Sequence, residues 1–297
     1  APASGAAFSP ASELWVKWNK PWETVRTRFQ DVFSSLQSSV GVVTDFYGSN
    51  LTLGTGTHLG NDVVFTVNTS SPPPKGSQYY WQARTYDQYN GSWTSTINDA
   101  KSYGNLGISV TYPSWSGRTV ADFTITSRVT LLNTIYAPPL PLWVSRSGTA
   151  AIQSLPGDME DLSFLSANPP IHAGDTYQVH AWISDPTQSL LHQASPQYPD
   201  WIKQKYLQLP PGLSPKYKQL AEKITEGMSN EYDKANAITQ YLRRTITYSE
   251  TIPPTPSGKD PLEYFLFESK VGYCNYYATA EVILLRSIGI PARMAVG

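Results

Sequence analysis

Cysteine is almost absent from this sequence: Cys274 is the only one in 297 residues. A lone thiol closes no internal disulfide, which excludes a disulfide-stapled scaffold. Charge is scarce as well, at 15% of residues with a net charge of −1. Without a basic stripe the chain lacks the electrostatic footprint of a nucleic-acid binder. No run approaches the ~18 apolar residues of a membrane span, and no basic-then-apolar leader opens the chain. The four histidines, His58, His172, His180 and His192, show no pairwise ligand spacing. That pattern predicts neither a metal site nor a cofactor. No internal repeat is present.

What is abundant points to β structure. The 24 prolines, 19 tyrosines and 9 tryptophans favour strands and turns over a helical bundle, and the length suits two domains. Residues 1–10 read as a small, Pro-rich lead-in. Trp22, Val25, Phe29, Val32, Phe33 and Leu36 fall on one face of a helix predicted over 21–36. Two readings of that helix stand level: it lies across the β domain, or it leads out of a membrane span.

From about residue 40 the period changes to two. Phe65 and Val67 alternate with Thr66 and Asn68, and Phe123, Ile125, Ser127, Val129 and Leu131 alternate with polar neighbours. Further strands are predicted around 42–47, 79–86, 108–112, 142–145 and 176–184. Asn90-Gly91 between aromatic runs signals a hairpin. Many short strands with no interleaved helices predict an antiparallel, sandwich-like domain over 40–185, after a lead-in over 1–39.

Residues 186–213 read as a Pro-rich linker to a helical region over 214–297. Ser214-Pro215 and Asn230 are good helix starts. Tyr217, Leu220, Ala221, Ile224 and Met228 form one apolar stripe, and Ala235, Ile238, Tyr241 and Leu242 form the next. A short strand over 245–249 and a short helix over 261–267 follow. Residues 275–288 then read as one apolar helix, stopped by Gly289 and Pro291. Cys274 therefore sits in a first helical turn, where unpaired N–H groups and the helix dipole favour thiolate. A cysteine nucleophile is one use of such a position; a buried, inert cysteine is the other.

The residues here also carry a family resemblance. Gly272-Tyr273-Cys274, then Leu284-Leu285-Arg286, then Gly289-Ile290-Pro291-Ala292-Arg293 resembles the core of transglutaminase-like cysteine enzymes. The resemblance is to the bacterial membrane-anchored members with an extracytoplasmic catalytic domain. Residues 221–248 and 260–267 resemble the lead-in of that core, and the aromatic segment 79–93 resembles part of a preceding β domain. Asn275 departs from the acidic residue often found after the family's cysteine. The fold this implies is α+β: an antiparallel β-sandwich-like domain followed by the helical N-terminal half of a papain-like transglutaminase core.

Cys274 is, by the same resemblance, the catalytic residue, attacking a carboxamide or peptide carbonyl of a protein or peptide substrate. The family's catalytic His and Asp lie downstream of the cysteine. The chain is accordingly expected to be a fragment, inactive alone, whose membrane attachment comes from flanking helices outside it. The alternative is a non-catalytic extracytoplasmic binding or structural module with a degenerate core. His180-Ala181-Trp182 imitates the sequence around the family's histidine. However, it lies upstream, and alternation with Tyr177, Val179 and Ala181 turns His180 away from the apolar face. The aromatic segment is read as core in preference to a stacking surface, and Arg286 and Arg293 as structural. Residues 290–296 read as the start of a strand without a partner, its apolar surroundings covered by the helices over 217–228 and 235–242 or by a neighbouring molecule.

Overall fold

A computed structural model describes residues 48–54, 62–73, 78–97, 99–129 and 132–297. The lead-in, the helix expected over 21–36, the strand expected over 42–47 and His58 lie outside the described residues. The strands are β1 (Asn50–Thr52), β2 (Phe65–Asn68), β3 (Arg84–Tyr86), β4 (Gln88–Tyr89), β5 (Ser92–Thr94), β6 (Ala100–Tyr103), β7 (Ile108–Ser109), β8 (Arg118–Ser127), β9 (Leu132–Thr134), β10 (Leu140–Val144), β11 (Gly148–Leu155), β12 (Met159–Ile171) and β13 (Thr176–Ser184). Helices α1 (Gln188–His192), α2 (Asp200–Tyr206), α3 (Pro215–Ile224) and α4 (Glu231–Thr245) follow. The chain then runs through β14 (Thr247–Tyr248) and α5 (Pro261–Glu263), which a π-helical turn over Tyr264–Ser269 continues. It ends with β15 (Val271–Gly272), α6 (Cys274–Ser287) and β16 (Met294–Val296). The fold is thus mixed α and β with antiparallel main sheets, as the sequence predicts.

Two sheets share the first core. One has the order β2-β8-β13-β10-β7; the other has the order β16-β3-β12-β11-β6, with β9 also on β12. Phe123, Ile125, Val179 and Ala181 from the first meet Ala150, Ile152, Leu162 and Leu165 from the second. The alternation in β8 and β13 is the reason: every second side chain of each strand faces inward. The β11–β12 hairpin has no counterpart among the predicted strands. Its β11 sequence, Gly-Thr-Ala-Ala-Ile-Gln-Ser-Leu, carries too little apolar contrast to show a period of two. Its one local signal is the turn Pro156-Gly157-Asp158, in which Gly157 and Asp158 both take positive φ, +79° and +56°.

The second core belongs to the helices and to one piece of the β region. Ile238, Leu242, Ala280, Ile283 and Leu284 pack with Tyr86, Tyr89 and Trp93. Asn90-Gly91 does turn the chain between β4 and β5, and β1 adds to the same small sheet. Ser214 and Asn230 cap α3 and α4 with their side chains, as their positions predict. Gly289 takes φ +83°; its N–H bonds Arg286 O (3.1 Å) and the Ile290 N–H bonds Leu285 O (3.0 Å), the paired bonds of a glycine-terminated helix. The stretch 186–213 carries α1 and α2, and its Gln208 side chain bonds both polar groups of the Tyr89 backbone.

One expectation is corrected. The strand after α6 is not without a partner: β16 pairs antiparallel with β3, Met294 opposite Tyr86 and Val296 opposite Arg84. Buried strand N–H and C=O groups need partners, and β3 offers a free edge on the side away from β12. The pairing spans some two hundred residues of sequence, so no local pattern announces it.

Candidate active site

Cys274 is the first residue of α6. Tyr273 before it is extended, with φ −120° and ψ −178°, and its side chain caps no N–H. The first-turn donors are therefore not consumed by a Ser or Asp cap of the usual kind. The Asn275 N–H, the Tyr248 hydroxyl and the Cys274 N–H lie close enough to the sulfur to favour its anion. The thiol in turn donates to Asn275 Oδ1 at 3.6 Å.

Tyr248 arrives through strand pairing. β14 and β15 run parallel, with Thr247 opposite Val271 and Tyr248 opposite Gly272, and the Ser249 N–H extends the ladder to Gly272 O at 2.9 Å. Because β15 leads straight into α6, that register sets Tyr248 beside Cys274. The Tyr248 ring lies 6.0 Å from that of Tyr277 and stays half exposed. No local pattern singled out Tyr248; the only hint was the short strand predicted over 245–249.

Cys274 is reachable from solvent, but the protein around its sulfur decides its ionisation. Burial pushes the Cys274 thiol above its ordinary pKa, and the Glu250 carboxylate adds to the rise. The Asn275 N–H, the Tyr248 hydroxyl and the Cys274 N–H pull in the opposite direction and are outweighed. This corrects the expectation that a helix start by itself favours thiolate: the donors are in place, but desolvation of the anion costs more than they return. A positive or proton-accepting neighbour is what ordinarily favours thiolate at such a thiol.

His180 does not supply it. Its Nδ1 bonds Asp122 Oδ1 at 2.7 Å across the β8–β13 pair, on the face opposite the buried Tyr177, Val179 and Ala181. His192 pairs with Asp233 at 3.3 Å. Among the described residues no group of three or more His, Cys, Asp or Glu side chains is placed to hold a metal.

The other residues of the block serve its framework. Arg286 is buried and donates to three backbone carbonyls, of Ala292 (2.8 Å), Gln208 (2.7 Å) and Asp87 (2.9 Å), while its guanidinium lies 5.5 Å from the centre of the Trp93 ring. Burial lowers its pKa to about 10. Arg293 donates to Asp161 Oδ1 at 2.7 Å and to the Tyr206 hydroxyl at 3.1 Å. Lys205 reaches the other Asp161 oxygen at 2.9 Å, and the Tyr206 hydroxyl bonds it too. Burial works against ionisation of Asp161, but Arg293, Tyr206 and Lys205 together hold its carboxyl below the usual range. This cluster joins β12, α2 and the turn after α6. The aromatic segment is divided: Tyr86, Tyr89 and Trp93 are core, whereas Tyr80 is exposed.

A family profile described as the transglutaminase-like superfamily matches residues 218–297. A second, described as the TgpA N-terminal domain, matches residues 27–188, which is 162 of the 297 residues. The chain belongs to the TgpA N-terminal domain family and is a transglutaminase-like protein. Among curated relatives, a protein-glutamine gamma-glutamyltransferase of Pseudomonas aeruginosa is 23% identical over 237 residues, 80% of this chain and 32% of that protein. The uncharacterized protein YebA of Bacillus subtilis is 41% identical over 95 residues, 31% of this chain and 13% of that protein. The chain thus spans a third or less of the length of these relatives. The crystal structure of the periplasmic domain of TgpA from Pseudomonas aeruginosa shares the fold, with a TM-score of 0.56 at 18% identity over 86% of this chain and 81% of that one. The ethylmercury-bound form of that domain gives a TM-score of 0.54 at 19% identity, over 80% of this chain and 76% of that one.

Proposed function

We propose that this chain carries the nucleophile of an acyl-transfer enzyme acting on glutamine carboxamides or peptide carbonyls of protein substrates. The observation that carries this reading is the solvent-reachable Cys274 at the start of α6, set beside Tyr248 by the pairing of β14 with β15. The thiol proton passes to a base, and the sulfur attacks the carbonyl carbon. The developing oxyanion then takes the donors that now face the sulfur. The amine leaves with a proton, and a thioester to Cys274 remains. A primary amine or water attacks that thioester and returns the thiol.

We place the base, an imidazole, in a part of the full-length protein that follows Gly297, in keeping with the order of the resembled family. The periplasmic relative of the same fold supports an extracytoplasmic site of action, with membrane attachment through flanking segments. Among the described residues no helix is long and apolar enough to cross a membrane.

The test compares this chain with a longer one containing the downstream residues. Amine incorporation into a glutamine-containing peptide, and amide hydrolysis of the same peptide, are expected only from the longer chain, and Cys274→Ala is expected to abolish them there with the fold intact. Activity that survives Cys274→Ala would remove the assignment. A longer chain that is folded, reactive at Cys274 and inert towards all amides would favour a binding module with a degenerate core.

A further inference from the structure

The residues on either side of Cys274 reach out and hold one residue of the β region. Gly54, just after β1, donates its N–H to the Tyr273 hydroxyl at 3.1 Å. Its carbonyl accepts from the Tyr276 hydroxyl at 3.0 Å. Both tyrosines are 2% exposed, and their rings meet edge to face, 5.3 Å apart. Both polar groups of a residue some 220 positions away are therefore gripped by side chains that lie on either side of Cys274 in the sequence.

This grip answers a mechanical need. The first turn of α6 has no side-chain cap; the Tyr276 and Tyr277 N–H groups bond the Tyr273 carbonyl at 2.9 and 3.2 Å, which leaves the Cys274 and Asn275 N–H groups without a cap. A turn left uncapped frays unless something else fixes it. Here the fixing comes from the side. β1 is itself held by β5, Leu51 opposite Trp93, and Trp93 Nε1 donates to Thr279 Oγ1 at 2.8 Å, one turn farther along α6. The small sheet thus touches α6 at Tyr273, Tyr276 and Thr279, all of them buried. Burial pushes the Tyr276 hydroxyl up to about 12, so over the working pH range it stays a donor to Gly54.

We propose that the Gly54 clasp is a positioning device for the candidate nucleophile: Tyr273 and Tyr276 use the N-terminal β region to hold the uncapped first turn of α6, and with it Cys274, in one place. The residues act through Cys274 and touch no substrate. The proposal rests on Cys274 being the reactive group, but its test needs no turnover, so it stands apart from the acyl-transfer reading.

The measurement is the rate of iodoacetamide alkylation of Cys274 against pH on this chain, well below its melting temperature. Tyr276→Phe keeps the ring and removes the donor; Tyr273→Phe removes the acceptor. Tyr177→Phe is the matched control, since Tyr177 is a buried tyrosine whose hydroxyl bonds Tyr136 O at 2.8 Å in the other core. Loosening the turn is expected to move the alkylation profile to higher pH, lowering the rate at a fixed pH below the thiol's titration by about threefold, the equivalent of about half a pKa unit. Tyr177→Phe is expected to lower the melting temperature similarly and leave the profile where it was. A Tyr276→Phe or Tyr273→Phe profile that superimposes on that of the parent, in a folded variant, would overturn the proposal. So would an equal displacement in Tyr177→Phe. Should Tyr276→Phe fail to fold, Tyr273→Phe decides on the same readout.

Discussion

Replacing Asp161 with Asn probes the buried ionic cluster that ties α2 and the turn after α6 to β12. Asp161 is 7% exposed and accepts from Lys205, Arg293 and Tyr206. The amide keeps the volume and one acceptor but removes the charge that two cations share. Lys205, also 9% exposed, retains Gln153 at 2.7 Å and the Asp87 carboxylate at 3.7 Å. The Arg293 side chain is 27% exposed and recovers part of its hydration. Breaking one partner out of a buried pair costs about 3–5 kcal/mol, and these residual partners put Asp161→Asn at the low end, about 3 kcal/mol. For a unit of this size that corresponds to about 6–12 °C in melting temperature. The comparator is Lys101→Met, which breaks the surface pair with Glu160 (3.3 Å, Lys101 56% exposed) and is expected to cost under about 1 kcal/mol. The assay is urea denaturation of both variants, repeated as pH falls. Because the folded-state pKa of Asp161 lies below its unfolded value, its contribution is full above the ordinary carboxylate range. It is lost as pH falls through the folded pKa. The parent should lose that component on acidification, and Asp161→Asn should lack it. A loss no larger than that of Lys101→Met, or an unchanged acid limb, would refute the reasoning.

Two further outcomes follow from the site. Tyr248→Phe deletes a hydroxyl that lowers the Cys274 pKa, so alkylation of the folded protein should shift to still higher pH; a shift to lower pH would show that the hydroxyl does not donate to the sulfur. Gly272→Ala places a Cβ 2.3 Å from the ring of the buried Phe265 and 3.2 Å from the Tyr276 Cβ. It should destabilise by about 1–3 kcal/mol, and a melting temperature equal to the parent's would contradict the close packing of β15 on the π turn.

What was legible in the sequence is local. The caps at Ser214 and Asn230, the extent of α6, the Asn90-Gly91 hairpin and the outward face of His180 each depend on residues a few positions apart, where periodicity and turn chemistry act. The candidate nucleophile was legible for the same reason. Its surroundings were not. Tyr248 reaches Cys274 through a two-residue parallel pairing too short to show a period, and Gly54 meets Tyr273 and Tyr276 across most of the chain. Asp161, Lys205 and Arg293 come from three segments with no common pattern, and their charges look like ordinary surface residues until the fold removes water. The thiol's raised pKa belongs to the same class: the helix start is written locally, but the desolvation that overrides it is a property of the assembled protein.

The division of the two cores has a consequence for the order of assembly. The first core draws its buried members from residues 83–181, all of them made before the helices exist. The second takes Tyr86, Tyr89 and Trp93 from the early part of the chain and every other buried member from residues 217–296. On a growing chain the sandwich closes first, and those three large aromatic rings wait, uncovered, while more than a hundred further residues are added. Pairing across such sequence distances is slow because loop closure precedes any contact that rewards it. During that interval the nascent protein is expected to present an aromatic patch, which α6 covers in the folded protein.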